Sequence, residues 1–512
     1  MTAPLSQPRP SRRLPFLSSL AALILAGCTV GPDYVKPTPV APADWSSWRG
    51  GDSSLQVPVA TATPLPAAWW RAFNDPVLDE LQRRAIAASP DLQTASLHVA
   101  QARAQRGSAA ARALPEIGAS AGATRQRQSE YGVGTRLFDT LGTTGAGASR
   151  DQLAKILGEP FTLYQGGLDA SWEIDLWGRV RRSIESADSS VAEQMALLAQ
   201  TRLTLASDVT RTYLELRATE RRIALARQDI AAARERTAIV AARARGGLNS
   251  GLDLERQQSE LQSVEAPLPE LLSQEASQAN QLALLLGERP GALADLLQPA
   301  PDAPMAALPD LDLGLPSEVA LRRPDIRAAE ARLHRATAEI GVATADLYPS
   351  IRLGGGFSLE SYRSENLFDW ASRAWSIGPS LDLPLFDGGR RRRVVQLRDL
   401  QQREAAVAYQ RTVLQGWQEI DNALNGYGAE RQQNRTLTAR VATTADALAL
   451  VEARYRGGET SFLDVIDARR SWLQAKRDLA ESNARLGTRY AAINKAIGNT
   501  ATLPTDEPGA TP

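Results

Sequence analysis

Most of this sequence is written twice. Ser89-Pro90-Asp91-Leu92 matches Arg323-Pro324-Asp325-Ile326, and Leu114-Pro115-Glu116-Ile117 matches Tyr348-Pro349-Ser350-Ile351, both at an offset of 234 residues. Further along, Ala244-Arg245-Gly246-Gly247 with Ser250, Leu252 and Asp253 matches Tyr455-Arg456-Gly457-Gly458 with Ser461, Leu463 and Asp464, at an offset of 211. Several matches in order, with one change of offset, mark a tandem duplication. The change places about 23 extra residues in the first copy, and the Gly-, Thr- and Ser-rich stretch 126–160 reads as a long loop that holds them.

Each copy reads as helix, strand, loop, strand, long helix, turn, helix. The strands show period two. Leu168, Ala170, Trp172, Ile174 and Leu176 point one way, and Asp169, Ser171, Glu173 and Asp175 the other. Ile377, Pro379, Leu381, Leu383 and Leu385 alternate likewise with Gly378, Ser380, Asp382 and Pro384, and 117–124 and 351–360 supply the partner strands. An apolar face, a polar face and nearby aromatics (Phe368, Trp370, Trp375, Trp177, Phe386) fit a bilayer-spanning sheet. Four strands cannot close a membrane barrel, whose smallest forms have about eight, and open edges in lipid leave backbone groups unpaired. Spanning strands of this number require several copies of the chain.

The helices are long. Arg390–Arg456 contains no proline, and its 67 residues would reach ~100 Å. Val413, Trp417, Ile420, Leu424 and Tyr427, and Val209, Leu216, Ile223 and Ile230 in the first copy, are spaced as coiled-coil seams. Returning helices at 252–287 and 462–497 complete a helical hairpin in each copy. The expected domains are a signal at 1–27, an extended Pro-rich segment at 28–66, a first repeat at 67–287, a Pro-rich equatorial linker at 288–316, a second repeat at 317–498 and a flexible tail at 499–512.

The amino terminus reads as an address. Arg9, Arg12 and Arg13 precede a short apolar stretch, 14–26, that ends in Leu25-Ala26-Gly27-Cys28. Small residues before a lone cysteine resemble the lipobox of bacterial lipoproteins, which makes Cys28 the lipidated first residue of the mature chain. Thr29, rather than an acid, favours the outer membrane. Lys+Arg and Asp+Glu both number 58, so no excess of positive charge points to nucleic acid. One Cys and two His, His98 and His334, leave almost nothing for a Cys/His metal site, and both histidines read as structural or surface residues. No P-loop or HExxH motif is present, so an enzyme is not expected and no cofactor is implied beyond the lipid.

Taken in order, Cys28-Thr29-Val30-Gly31-Pro32-Asp33-Tyr34, Trp172-Glu173-Ile174-Asp175-Leu176-Trp177-Gly178, Pro384-Leu385-Phe386-Asp387-Gly388-Gly389 and Ala453-Arg454-Tyr455-Arg456-Gly457-Gly458 with Phe462-Leu463-Asp464-Val465-Ile466-Asp467-Ala468 resemble the TolC-like outer-membrane factors, lipoprotein branch (OprM/NodT type). The resemblance implies a mainly α fold with a transmembrane β-barrel portion. Three subunits lend four strands each to one barrel, and helical hairpins form a long periplasmic helical barrel. It implies an efflux channel for small toxic compounds, lipid-anchored in the outer membrane, working with a periplasmic adaptor and an inner-membrane transporter. It assigns a periplasmic gate to Asp464, Asp467, Leu463, Tyr455 and Arg470, and adaptor docking to the tips at Gly246, Gly247, Gly457 and Gly458. Arg256 stands in the first copy where Asp467 stands in the second, so a carboxylate ring would come from the second hairpin. Asp464 and Asp467 also lie in a first helical turn, where acids are favoured regardless of function. A protein-secretion tunnel and a periplasmic coiled-coil scaffold are the rival readings.

Overall fold

The computed structural model describes residues 29–38, 41–42, 44–45, 48–60, 66, 68–132, 150–248, 250–300, 308 and 311–499. The chain forms two compact units. One takes the described residues of Met1–Tyr34 with Arg103–Ser189 and His334–Arg403; the other takes those of Val35–Ala102, Ser190–Leu333 and Glu404–Pro512.

The elements in chain order are β1 (Val59–Ala60), α1 (Pro76–Ala88), α2 (Pro90–Ala111), β2 (Glu116–Gln126), α3 (Arg150–Leu157), β3 (Phe161–Ile174), α4 (Arg179–Arg245), α5 (Gly251–Glu265), α6 (Leu268–Leu285), β4 (Leu311–Asp312), α7 (Pro316–Arg322), α8 (Pro324–Ala345), β5 (Ser350–Ser361), β6 (Arg373–Asp382), α9 (Arg390–Arg456) and α10 (Phe462–Ala496). The two long helices are each 67 residues.

The first unit holds a four-stranded antiparallel sheet in the order β2-β3-β5-β6, so each copy contributes one hairpin and the copies meet at β3 and β5. Cross-strand partners share a face. One row runs Ala119, Leu168, Phe357, Trp375 and the next Gly118, Asp169, Gly356, Ser376. The apolar face is bare: Leu168, Phe357, Trp375, Ile377 and Leu381 are all exposed. The opposite face is crowded at Gly118 and Gly167 by side-chain and backbone atoms of the neighbouring strands. A Cβ at Gly167 would lie 2.6 Å from the Phe357 carbonyl oxygen, so glycine is required there. The outer edges of β2 and β6 have no strand beside them among the described residues.

The second unit is built around the seams. Val209, Leu216, Ile223 and Ile230 are buried, as are Val413, Ile420, Leu424 and Tyr427. Its main core gathers Trp69, Leu78, Leu81, Tyr213, Leu282, Leu286 and Tyr490 onto Val209, Leu216, Ile420, Leu424 and Tyr427. At roughly 1.5–3 kcal/mol per buried large apolar side chain, this cluster supplies the main favourable term of the unit. β1 and β4 form a two-residue parallel pair that ties the amino-terminal segment to the inter-repeat stretch. The duplication is visible in the packing. Gly287 and Gly498, 211 residues apart, both adopt positive φ (72° and 70°) at the end of a returning helix. A Cβ on Gly287 would meet the Ala88 carbonyl oxygen at 2.8 Å, and one on Gly498 would meet Arg323 Cα at 2.9 Å. Each glycine therefore lies against the joint that precedes Pro90 or Pro324.

Two helical details differ from the sequence reading. The stretch 126–160 contains helix α3, because Arg150–Leu157 carries an amphipathic pattern that the surrounding turn residues obscure. The first returning helix is not one piece. It stops at Glu265 and resumes at Leu268, since Pro267 has no N–H to give the carbonyl of Ser263.

Candidate functional site

The two hairpin tips are built alike, by local chemistry. At the first, Gly246 and Gly247 stop α4: Leu248 N–H donates to the Arg243 carbonyl (2.9 Å) and Gly247 N–H to that of Ala244 (3.1 Å). At the second, Glu459 N–H donates to Arg454 (3.0 Å) and Gly458 N–H to Tyr455 (3.0 Å). Both are helix stops that need a left-handed residue, and Gly247 (φ 73°) and Gly458 (φ 76°) supply it. A capping box then starts the returning helix. Asp253 and Ser250 exchange backbone-to-side-chain hydrogen bonds at one tip, and Asp464 and Ser461 do so at the other.

The Asp464 carboxylate is therefore engaged. It accepts from Thr460 Oγ1 (2.5 Å), Ser461 Oγ (2.7 Å) and Ser461 N–H (2.9 Å), and these bonds hold its pKa below the ordinary carboxylate value. The Asp253 pKa is lowered in the same way by Ser250. Asp467, one turn further on, is exposed and makes no hydrogen bond or ion pair among the described residues. Leu463 is half exposed, with Leu252 as its counterpart. The Tyr455 ring lies 5.5 Å from that of Phe462, across the turn. Arg470 pairs with neither aspartate; its Nη1 lies 2.7 Å from Glu260 Oε1 of α5. The second hairpin is thereby tied to the first, and Arg477 of α10 repeats the tie to Asp229 of α4 at 3.0 Å.

Cys28 lies outside the described residues, but the residues after it are firmly seated in the sheet unit. Val30 N–H donates to the Trp177 carbonyl (3.1 Å), and Thr29 occupies the space left by the missing side chain of Gly178. Gly31 (φ 91°) touches Gly341: a Cβ on it would lie 2.5 Å from Gly341 Cα. Asp33 pairs with the buried guanidinium of Arg182 at 2.6 Å, and Tyr34 stacks on His334 at 4.0 Å. His334 in turn bonds Glu185 at 2.9 Å. Trp177, named above with the aromatics near the strands, stacks on Tyr348 and donates to the Pro349 carbonyl. The sequence reading missed Phe462, Glu260 and this clasp. Phe462 could have been found by comparing the copies, because Gly251 stands in its place at the first tip. The other contacts join residues far apart in the chain and leave no local signal.

A family model, described as outer membrane efflux protein, matches residues 81–288 and again residues 315–499, one match per copy. The chain belongs to the outer membrane efflux protein family. Nodulation protein T of Rhizobium leguminosarum bv. trifolii is 31% identical over 490 residues, covering 95% of this chain and 96% of that protein. Outer membrane protein OprJ of Pseudomonas aeruginosa is 32% identical over 456 residues, covering 88% of each. Among solved structures, the outer-membrane channel OprN superposes with a TM-score of 0.77 at 30% identity, covering 92% of this chain and 99% of that one. This outer membrane efflux protein is a transport protein of the outer membrane and not an enzyme. Its long helical hairpins and four strands form the TolC-like channel fold.

Proposed function

We propose that three copies of the chain close one twelve-stranded barrel and stack their helical hairpins into a periplasmic tunnel. Small toxic compounds leave through it, delivered by an inner-membrane transporter and a periplasmic adaptor. The observation that carries this reading is the sheet with two edges unpaired among the described residues and one bare apolar face. Such a sheet is untenable alone in lipid and complete when edge meets edge. Cys28 carries the lipid that anchors the chain in the outer membrane. The tips at Gly246, Gly247, Gly457 and Gly458 receive the adaptor, and Asp464, Asp467, Leu463, Tyr455 and Arg470 form the closed periplasmic end. There Asp467 offers a carboxylate with no partner among the described residues, Tyr455 packs on Phe462 across the second tip, and Arg470 ties that hairpin to the first.

The test is electrophoretic and electrical. Unheated, detergent-extracted protein is expected to migrate as a trimer and dissociate on heating. Asp464→Ala with Asp467→Ala should raise its conductance in planar bilayers. A single-copy, water-soluble protein without lipid affinity would sink the reading. Cys28→Ser should abolish palmitate labelling, and continued labelling would remove the anchor from Cys28.

A further inference from the structure

The apolar face of the sheet is charged at only one of its two ends. Among the described residues of the four strands, its side chains include two ionisable groups with a formal charge, Arg125 of β2 and Arg373 of β6. Both are cations, both are exposed, and both lie at the end of the sheet remote from the long helices. At the other end the same face carries Ile117, Ile174, Ile351 and Leu381, with no charge. The strands' acids (Glu116, Asp169, Glu173, Glu360, Asp382) fall on the opposite face with Arg352. A guanidinium on a lipid-facing surface is costly at the bilayer midplane and nearly free at its interface. From Arg373 to Leu381 the strand climbs about 26 Å, enough when tilted for most of the apolar band. The two arginines therefore belong at the outer headgroup level.

Their surroundings fit a headgroup. Arg125 has no hydrogen bond or ion pair among the described residues. Arg373 sits 3.9 Å above the Trp370 ring and gives one N–H to the Trp370 carbonyl, which leaves its other donors free. Arg363 lies 5.4 Å from the ring centre of Tyr362, and Phe368 and Trp375 are exposed. The acids of this connection, Glu365 and Asp369, lie beyond the ends of the strands. Arg125 is on one edge strand and Arg373 on the other.

We propose that the distal rim of the lipid-facing sheet binds the phosphates of outer-leaflet glycolipid, with Arg125 of one subunit and Arg373 of the next converging at each seam of the barrel. Guanidinium groups suit this role because they hold phosphate through two parallel hydrogen bonds, and the rings beside them match the upper acyl chains. The proposal rests on the trimeric reading above.

The experiment uses the full-length protein in nanodiscs of phosphatidylcholine doped with lipopolysaccharide or with its dephosphorylated form. Retained glycolipid is measured per protein, and trimer migration is recorded on the same samples. The intact protein should retain the phosphorylated form preferentially. Arg125→Gln and Arg373→Gln should each reduce that preference by about fivefold while the trimer band persists. Arg125→Lys with Arg373→Lys should restore much of it. Equal retention of the dephosphorylated form by the unaltered protein would overturn the proposal, as would full competition by equimolar inorganic phosphate, which would indicate a site for free anions. If an Arg→Gln variant fails to assemble, these two arms on the unaltered protein decide. Absence of a trimer in the unaltered protein is read from migration alone and counts against the proposed function separately.

Discussion

The two hairpin tips share a turn and differ in what faces outward from it. Gly247 and Gly458, Ser250 and Ser461, Leu252 and Leu463, and Asp253 and Asp464 occupy equivalent places with equivalent bonds. Tyr455, Phe462, Asp467 and Arg470 have no such twins, since Ala244, Gly251, Arg256 and Ser259 stand at the same offset. What both copies keep is what any hairpin needs to turn. What only the second keeps is chemistry that a turn does not need. By that measure Asp464 is first a capping residue, and Asp467 is where the two tips part in charge.

Conductance would break this comparison most visibly. Asp467→Ala should raise the conductance of the trimer severalfold, Asp464→Ala by less, and Arg256→Ala should leave it at the level of the unaltered protein. Equal effects at positions 467 and 256 would erase the distinction between the tips. Next in size is the capping box. Ser461→Ala with Asp464→Ala should destabilise the start of α10, and Ser250→Ala with Asp253→Ala should do the same to α5. Amide exchange in the first turn of each helix reads both. Because both aspartates have depressed pKa values, the stabilisation they give is complete above the unfolded carboxylate value. It disappears as pH falls through the lower folded value, so exchange at both tips should accelerate together in acid. The smallest effect belongs to the tie between hairpins. Arg470 and Glu260 are both partly solvated, and a double-mutant cycle should return at most about 1 kcal/mol, weakening with salt.

The tips were legible because Gly-Gly, Ser and Asp at fixed short spacing are themselves the cause of the turn. The coiled-coil seams were legible for the same reason, and Val209, Leu216, Ile223 and Ile230 are all buried. Strand ends were less so. β3 begins at Phe161 rather than Leu168, and β6 at Arg373 rather than Ile377, because pairing with a neighbour continues where side-chain alternation no longer advertises it. The contacts of Arg182 with Asp33 and of Arg470 with Glu260 span 149 and 210 residues, and no local pattern encodes them. Pro267 was in plain view, but the surrounding helical periodicity masked its effect.

That proline has a mechanical consequence. The first hairpin returns in two pieces, α5 then α6, with one main-chain hydrogen bond missing at Pro267. The second returns through an unjointed rod of 35 residues, and just past its end Gly498 rests on Arg323, itself clamped by Asp325 and Glu419. The second return is thus one continuous helix from its tip to a buried guanidinium, whereas the first is interrupted at Pro267.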